Sequence, residues 1–348
     1  MFLSGVVLCA ALAAVDGSVP DAGARAAGGG ASRDAGAPTS VDAGGSRDAG
    51  VVWDGGFEPA VPASWTLAAK LGPQSPARAA LVKDLTAKGG GAGETPLTAD
   101  EAQALFDDPR AQLVYGDKTV SIVAPSMVSR HRQEHLDLMK LFLKPERVDA
   151  GKAFAKQYAE RLAATEQKTG VDRNVIIGIL MWESKLGTIT GDYRAFNVFT
   201  SQAFFIDEAS AVALSRADEK QKASPAAQAR RVESIRNRAR ANLLALLRQC
   251  KTRGIDPLEV KGSWAGALGF PQFMPASLRW ADDGNGDGAI DLFDMDDSIA
   301  SIGKYLQAHG FKEDRTKAVW GYNHEDAYVQ GVLAFADALR GGFPDAGP

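Results

Sequence analysis

Glu183 is the residue whose surroundings best suit it to acid–base chemistry. It stands in V-D-R-N-V-I-I-G-I-L-M-W-E-S-K-L-G, residues 171–187, where Val175, Ile176, Ile179, Leu180 and Leu186 recur at helical spacing. Glu183 follows Ile179 by four positions and Leu180 by three, which sets its carboxyl on the apolar face. Desolvation there disfavours the charged form and raises the pKa. A carboxylic acid that keeps its proton near neutral pH can protonate a leaving group. The competing reading is a glutamate at the edge of the stripe, reaching water beside Lys185.

Two further stretches carry chemistry. Asp283-Gly-Asn-Gly-Asp-Gly-Ala-Ile-Asp-Leu-Phe-Asp294 fits a twelve-residue calcium loop. Asp283, Asn285 and Asp287 fall at positions one, three and five, with Gly288 at the sharp turn. Ala289 offers its backbone carbonyl, Asp291 a water-mediated contact, and Asp294 the last ligand, where the usual residue is a longer glutamate. Ile290 would anchor the loop. The alternative is an ordinary Asp/Asn/Gly turn, but carboxylates crowded in one loop call for a counter-ion. The cation is expected to be structural Ca2+, and no organic cofactor is indicated. Ser263-Trp-Ala-Gly-Ala-Leu-Gly-Phe-Pro-Gln-Phe-Met-Pro275 mixes small residues, aromatics and the polar Ser263 and Gln272. That mixture suits a sugar cleft, and equally a tightly packed core turn.

The elements that must position these residues read as helices. They are expected at Ser64–Lys88, Thr98–Asp107, Ser129–Leu143, Val148–Gly170, Asp172–Leu186, Glu208–Ala217, Pro225–Arg253, Met274–Trp280, Asp296–His309 and Asp326–Arg340. Asp172 is the expected N-cap of the central helix and Gly187 its left-handed C′ residue. Thr98 with Glu101 forms a capping box. Gly89–Gly91 separates the first two helices, and Thr119–Val123 is the one strand-like piece. The fold class is all-α. Arg230, Arg231, Arg236, Arg238 and Arg240 share the longest helix and read as a solvated face, or as a groove wall meeting an anionic polymer.

Composition sets the address. Hydrophobic residues make up 45% of the 348, ample for a core, and the net charge of −4 gives no reason to expect nucleic acid. Cys9 and Cys250 are far apart, so no disulfide is expected. Phe2–Val15 is apolar and too short to span a bilayer, and Ala11-Leu12-Ala13 is like a signal-peptidase site. A basic n-region is lacking, which points to a start upstream of Met1. Leu8 is a poor neighbour for a lipidated Cys9, so export is favoured over lipidation. From Asp16 to about Pro62 the chain turns to Gly, Ala, Ser, Asp and Pro, with Asp-Ala-Gly recurring at Asp21, Asp34, Asp42 and Asp48 and again at Asp345. Such a segment cannot offset its ordering entropy and reads as a disordered tether.

Taken together, these motifs resemble the lytic murein transglycosylase B family. The resemblance rests on E-S-K-L-G at Glu183, the Ser263 motif, the loop at Asp283, G-Y-N-H at Gly321, K-P-E-R-V-D-A-G at Lys144–Gly151 and D-D-P-R at Asp107–Arg110. It implies a lysozyme-like helical domain. The implied divisions are 1–15 signal peptide, 16–62 linker, 63–124 N-terminal helical part, 125–341 catalytic core and 342–348 tail. The implied activity is cleavage of the β-1,4 bond between N-acetylmuramic acid and N-acetylglucosamine in peptidoglycan, with a 1,6-anhydromuramoyl product. Glu183 matches the family's single acid/base. Ser263, Gln272, Tyr305, Tyr322, Asn323 and Tyr328 match cleft positions, though each tyrosine suits plain core packing equally well. The implied partner is peptidoglycan glycan strands, met by a monomer in the periplasm or cell envelope, with any membrane tether running through the N-terminus. The chain departs from the family in three places. The short Gly310–Tyr322 stretch lacks a long insertion and implies a more open cleft. Leu138 stands where an aromatic is usual, and Glu208–Arg248 is longer. The alternatives are a muramidase that uses water, or a non-catalytic, calcium-stabilised glycan-binding protein.

Overall fold

The central helix is buried on every side. This computed structural model describes residues 71–87, 95–114, 122–123, 142–216 and 224–341. Expectations for the signal peptide, the linker, Gly89–Gly91, Leu138, most of Ser129–Leu143 and the tail at 342–348 lie outside them. In chain order the helices are α1 Pro76–Thr86, α2 Ala99–Asp107, α3 Pro145–Gln157, α4 Ala159–Thr169, α5 Arg173–Ser184, α6 Ala195–Phe204, α7 Ile206–Arg216, α8 Pro225–Arg253, α9 Met295–Ala308, α10 Arg315–Tyr322 and α11 Asp326–Leu339. A 3-10 turn covers Pro275–Trp280. Among the described residues the only sheet is a two-residue antiparallel pair, β1 Tyr193–Arg194 on β2 Lys261–Gly262, with Tyr193 opposite Gly262. The all-α expectation holds.

Helix α5 carries an unbroken buried run from Val175 to Ser184, where the sequence pattern implied a single stripe. Close approach explains the difference. A Cβ on Gly178 would meet the Val332 carbonyl at 2.9 Å, and one on Gly331 would meet the Trp182 ring at 2.5 Å. These two glycines let α5 and α11 pack nearly backbone to backbone. One hydrophobic cluster runs from Leu71 and Leu81 through Ile176 to Phe335, so the N-terminal helices share the core of the remainder. No described helix is long and apolar enough to cross a membrane.

Local signals set several boundaries. The Asp172 side chain accepts the Asn174 N–H, and Thr98 with Glu101 completes its capping box. Other boundaries moved. Val148–Gly170 is two helices, because Tyr158 leaves the helical basin (φ −107°, ψ 28°) with its ring against Phe154. Helix α5 ends before Gly187, since Lys185 and Leu186 already hold φ of 48° and 57°. Ile122–Val123 is helical, not strand-like: both residues are buried, and their carbonyls accept the side chains of Arg231 and Gln228. Helices α6 and α10 were not anticipated.

The arginines of α8 are mostly pins. Arg236 pairs with Asp207 at 2.6 Å, Arg240 pairs with Asp84, and Arg231 holds the Ile122 carbonyl. Arg238 is enclosed, and burial pulls its pKa down to about 10. Of the five, Arg230 alone keeps the exposed position expected of a solvated face.

Candidate active site

Glu183 sits in the last turn of α5, and its end of the helix is tightly tied. The Ser184 hydroxyl donates to the Leu180 carbonyl at 3.2 Å and accepts the Gly187 N–H at 3.0 Å. The Leu186 N–H reaches back to the same Leu180 carbonyl at 2.9 Å. These bonds fix the backbone that carries Glu183. Glu183 is 1% exposed, and neither carboxyl oxygen completes a hydrogen bond. Burial raises its pKa from 4.5 to about 8. The Tyr328 hydroxyl pulls the other way, although no hydrogen bond closes between the two side chains. Glu183 is thus buried rather than reaching water at the edge of the stripe.

Tyrosines surround it. Tyr328 packs edge-on against Trp182 at 5.1 Å and lies parallel to Tyr322 at 6.4 Å. Tyr322 meets Tyr305 edge-on at 4.9 Å, and Tyr305 stacks on His309 at 3.9 Å. Burial lifts the Tyr322 and Tyr328 hydroxyls well above their ordinary range, and the charge of Glu183 adds to it. The Tyr322 hydroxyl donates to the Pro271 carbonyl at 2.5 Å, which ties the Ser263–Pro275 loop to α10. The Tyr305 hydroxyl donates to the Gly321 carbonyl at 2.8 Å.

The amides flank this cluster. Gln272 holds φ 51° and donates through Nε2 to the Gly269 carbonyl at 2.8 Å, leaving Oε1 buried and unpartnered. Asn323 caps α10 from a fully buried position, and neither end of its side chain finds a partner. A buried polar atom without a partner costs about 1–3 kcal/mol. Glu183, Gln272, Asn323 and Tyr328 all carry such atoms on elements that meet at Tyr322, a pattern that a ligand rich in hydroxyl and amide groups would satisfy. Ser263 differs: its Oγ accepts the Ala267 N–H at 3.1 Å within its own turn. Glu183, Asn323 and Tyr328 are all enclosed. A cavity of about 500 Å³ past the end of α5 is lined by Leu186, Gly187, Phe270, Phe293 and Asp294 among others, and not by Glu183, Asn323 or Tyr328.

The calcium-type loop closes differently from its twelve-residue template. Asp283 accepts the N–H groups of Gly286 (2.6 Å) and Gly288 (2.8 Å). Asn285, Asp287 and Asp291 each accept the N–H two residues on, at 2.8–2.9 Å. Asp294 is the N-cap of α9, accepting from Asp296 and Asp297. The carboxylate that reaches back into the loop is Asp297, buried and accepting from Gly284 (2.7 Å), Asn285 (3.3 Å) and Asp291 (2.7 Å). The template ends at Asp294 and so passes over it. Among the described residues no cluster of three or more His, Cys, Asp or Glu side chains stands arranged around a metal position. The donors that do line the loop are all oxygens, which fits a hard cation. The Phe270 N–H bonds the Leu292 carbonyl at 2.8 Å, so this loop braces the one that holds Gln272.

This helical core with a buried carboxyl among tyrosines and unpartnered amides can be set beside known proteins. Residues 94–320 match the Transglycosylase SLT domain family, and the chain belongs to that family. Over 181 residues it is 32% identical to the membrane-bound lytic murein transglycosylase B of Escherichia coli, covering 52% of this chain. The matched region spans 43% of that relative's length. In fold it is similar to the E. coli lytic transglycosylase Slt35 in complex with bulgecin A (TM-score 0.58, 21% identity, 77% of this chain and 94% of that one). Slt35 in complex with calcium gives a TM-score of 0.56 at 21% identity, over the same shares of the two chains. The catenated SltB1 of Pseudomonas aeruginosa gives 0.57 at 20% identity, over 78% of this chain and 99% of that one.

Proposed function

We propose that this chain is an exported peptidoglycan lytic transglycosylase of the cell envelope, acting as a monomer on glycan strands. The observation that carries the reading is the Glu183 carboxyl, buried among tyrosines with neither oxygen hydrogen-bonded, where burial raises its pKa to about 8. Glu183 donates its proton to the glycosidic oxygen between N-acetylmuramic acid and N-acetylglucosamine, and the C–O bond breaks. The substrate's own acetamido carbonyl stabilises the anomeric carbon, so no second carboxylate is needed. The carboxylate of Glu183 then withdraws the proton of the 6-hydroxyl, whose oxygen closes the 1,6-anhydro ring. The acid is thereby regenerated without water. Asn323, Gln272, Tyr305, Tyr322 and Tyr328 bind and orient the sugars, and Ser263 shapes the loop that carries Gln272.

A structural Ca2+ fits the loop from Asp283. Asp283, Asn285, Asp287, the Ala289 carbonyl and Asp291 would hold it, with Asp294 capping α9 and Asp297 closing the loop. The ion supplies rigidity where the loop meets the Gln272 segment.

The test is mass spectrometry of products released from purified peptidoglycan. Anhydro ends from the parent protein, and none from Glu183→Gln, are expected. Products heavier by one water would replace the reading with a muramidase. Equal digestion by Glu183→Gln would end it.

A further inference from the structure

The cavity past the end of α5 continues into a second one. The first, of about 500 Å³, is walled by Leu186 and Gly187 on one side and by residues 293–296 on the other. The second, of about 430 Å³, is walled by the continuations of the same two segments, residues 190–192 and 290–293. Phe293 lines both, so its ring stands where the two halves of one trough meet. Glycines hold the wall that leaves α5 close against its neighbours. A Cβ on Gly187 would meet Met295 Cε at 2.8 Å, and one on Gly191 would meet the Gly262 carbonyl at 2.1 Å.

Phe293 is 39% exposed although the loop beneath it is fixed. Its N–H donates to Asp291 Oδ1 at 2.8 Å, and the Leu292 carbonyl accepts both the Phe270 N–H (2.8 Å) and the Ser298 hydroxyl (2.9 Å). The Phe270 ring backs it edge-on at 6.0 Å. An apolar ring held rigidly in water forgoes burial that would stabilise the fold. Among the described residues the large exposed apolar side chains are Ile255, Phe293 and Trp320, and the first two line this trough. Asp192 and Asp296, one in each half, stand only in long ion pairs, at 4.0 Å with Lys261 and 3.6 Å with Arg161. Their oxygens are thus able to accept hydroxyl groups. Carboxylates line both halves, whereas the cations Arg253 and Lys261 line only the second. That balance disfavours an acidic peptide and suits an uncharged ligand. A pyranose is such a ligand: its C–H groups form a face that a ring can cover, and its hydroxyls surround the edge.

We infer that Phe293, backed by Phe270, is a sugar-stacking platform midway along this trough, which holds a stretch of glycan strand away from the bond that is cut. The inference rests on the reading of Glu183 as a peptidoglycan-cleaving acid. It deepens that reading, because the trough opens at Leu186, three residues after Glu183, and makes strand length a determinant of the substrate. The uncharged backbone of alternating N-acetylated sugars is what the platform grips.

The test uses peptidoglycan glycan strands freed of their peptides and sorted by length into tetrasaccharides and long strands. The parent protein should show a KM about fivefold lower on long strands than on tetrasaccharides, the effect of one added ring contact. Phe293→Ala should raise the KM on long strands until that ratio falls within about twofold, with kcat on them changed by less than about twofold. Phe293→Trp, which keeps a flat face, should preserve the ratio, whereas Phe293→Leu, apolar without a face, should lose it. A parent protein indifferent to length overturns the platform, and so does a Phe293→Leu variant that matches the parent. A Phe293→Ala variant whose KM rises equally on both lengths shows a loop disturbed as a whole, and overturns it too. A length preference seen only on strands that keep their peptides assigns the trough to the peptide and refutes the sugar reading. Titration calorimetry of the Glu183→Gln protein with both lengths reads the same preference without turnover. A failure of the acid mechanism would therefore appear as cleavage that survives in Glu183→Gln, and a failure of the platform as length-independent binding.

Discussion

Replacing Glu183 by Gln removes a titrating group from the core, and the effect on stability has a definite sign and pH window. In the unfolded chain the carboxyl ionises near 4.5; in the folded protein, burial holds its proton to about pH 8. Below pH 4.5 both states are protonated and stability is unaffected. Between the two values only the unfolded state sheds the proton, so the folded state loses about 1.4 kcal/mol for each pH unit. By pH 7 the loss amounts to about 3 kcal/mol, and above pH 8 it levels off. The amide of the Glu183→Gln variant does not titrate and escapes this loss. It does occupy the same unpartnered position, at a cost of about 1–3 kcal/mol that is the same at every pH. A comparison at one pH is therefore uninformative, and the slope decides. Denaturant unfolding of both proteins at pH 5, 6, 7 and 8 should show the parent losing ground steadily to Glu183→Gln, by about 2–3 kcal/mol between pH 5 and 7. Parallel stability curves would show that Glu183 ionises normally in the folded protein, and the acid role would fall with them.

Arg78→Met should destabilise the N-terminal helices by about 1–3 kcal/mol. It strips the partner from Asp107 and leaves the Leu71 and Gln103 carbonyls unmatched, and thermal unfolding monitored by circular dichroism would register it. Gly178→Ala should cost about 1–3 kcal/mol by forcing α5 off the Val332 carbonyl. It should also lower peptidoglycan cleavage, since the same helix aims Glu183; unchanged activity would show that the aim is set elsewhere. Chelation should lower the melting temperature and added calcium should restore it, as expected for a cation that binds only the folded loop. Asp297→Ala should abolish the calcium response, because three loop N–H groups lose their acceptor.

What the sequence reveals and what it hides divides by distance along the chain. The Thr98 capping box, the Asp172 cap and the placement of Glu183 three and four residues after apolar neighbours depend on contacts within one or two turns, and all are visible as spacing. The calcium-type loop is visible for the same reason up to Asp294. Asp297 escapes because it returns to the loop only after α9 has begun and its first turn has folded back. The end of α5 is hidden for a different reason: Gly187 marks where a left-handed residue is cheap, whereas Lys185 and Leu186 adopt that conformation at a cost that local preference argues against. The arginines of α8 show the limit most clearly. Their run along one helix suggests a solvated face, yet their partners are Asp84, Asp207 and the Ile122 carbonyl, reached only through the tertiary fold. A charge is known to be paired or unpaired only once every distant carboxylate has been placed.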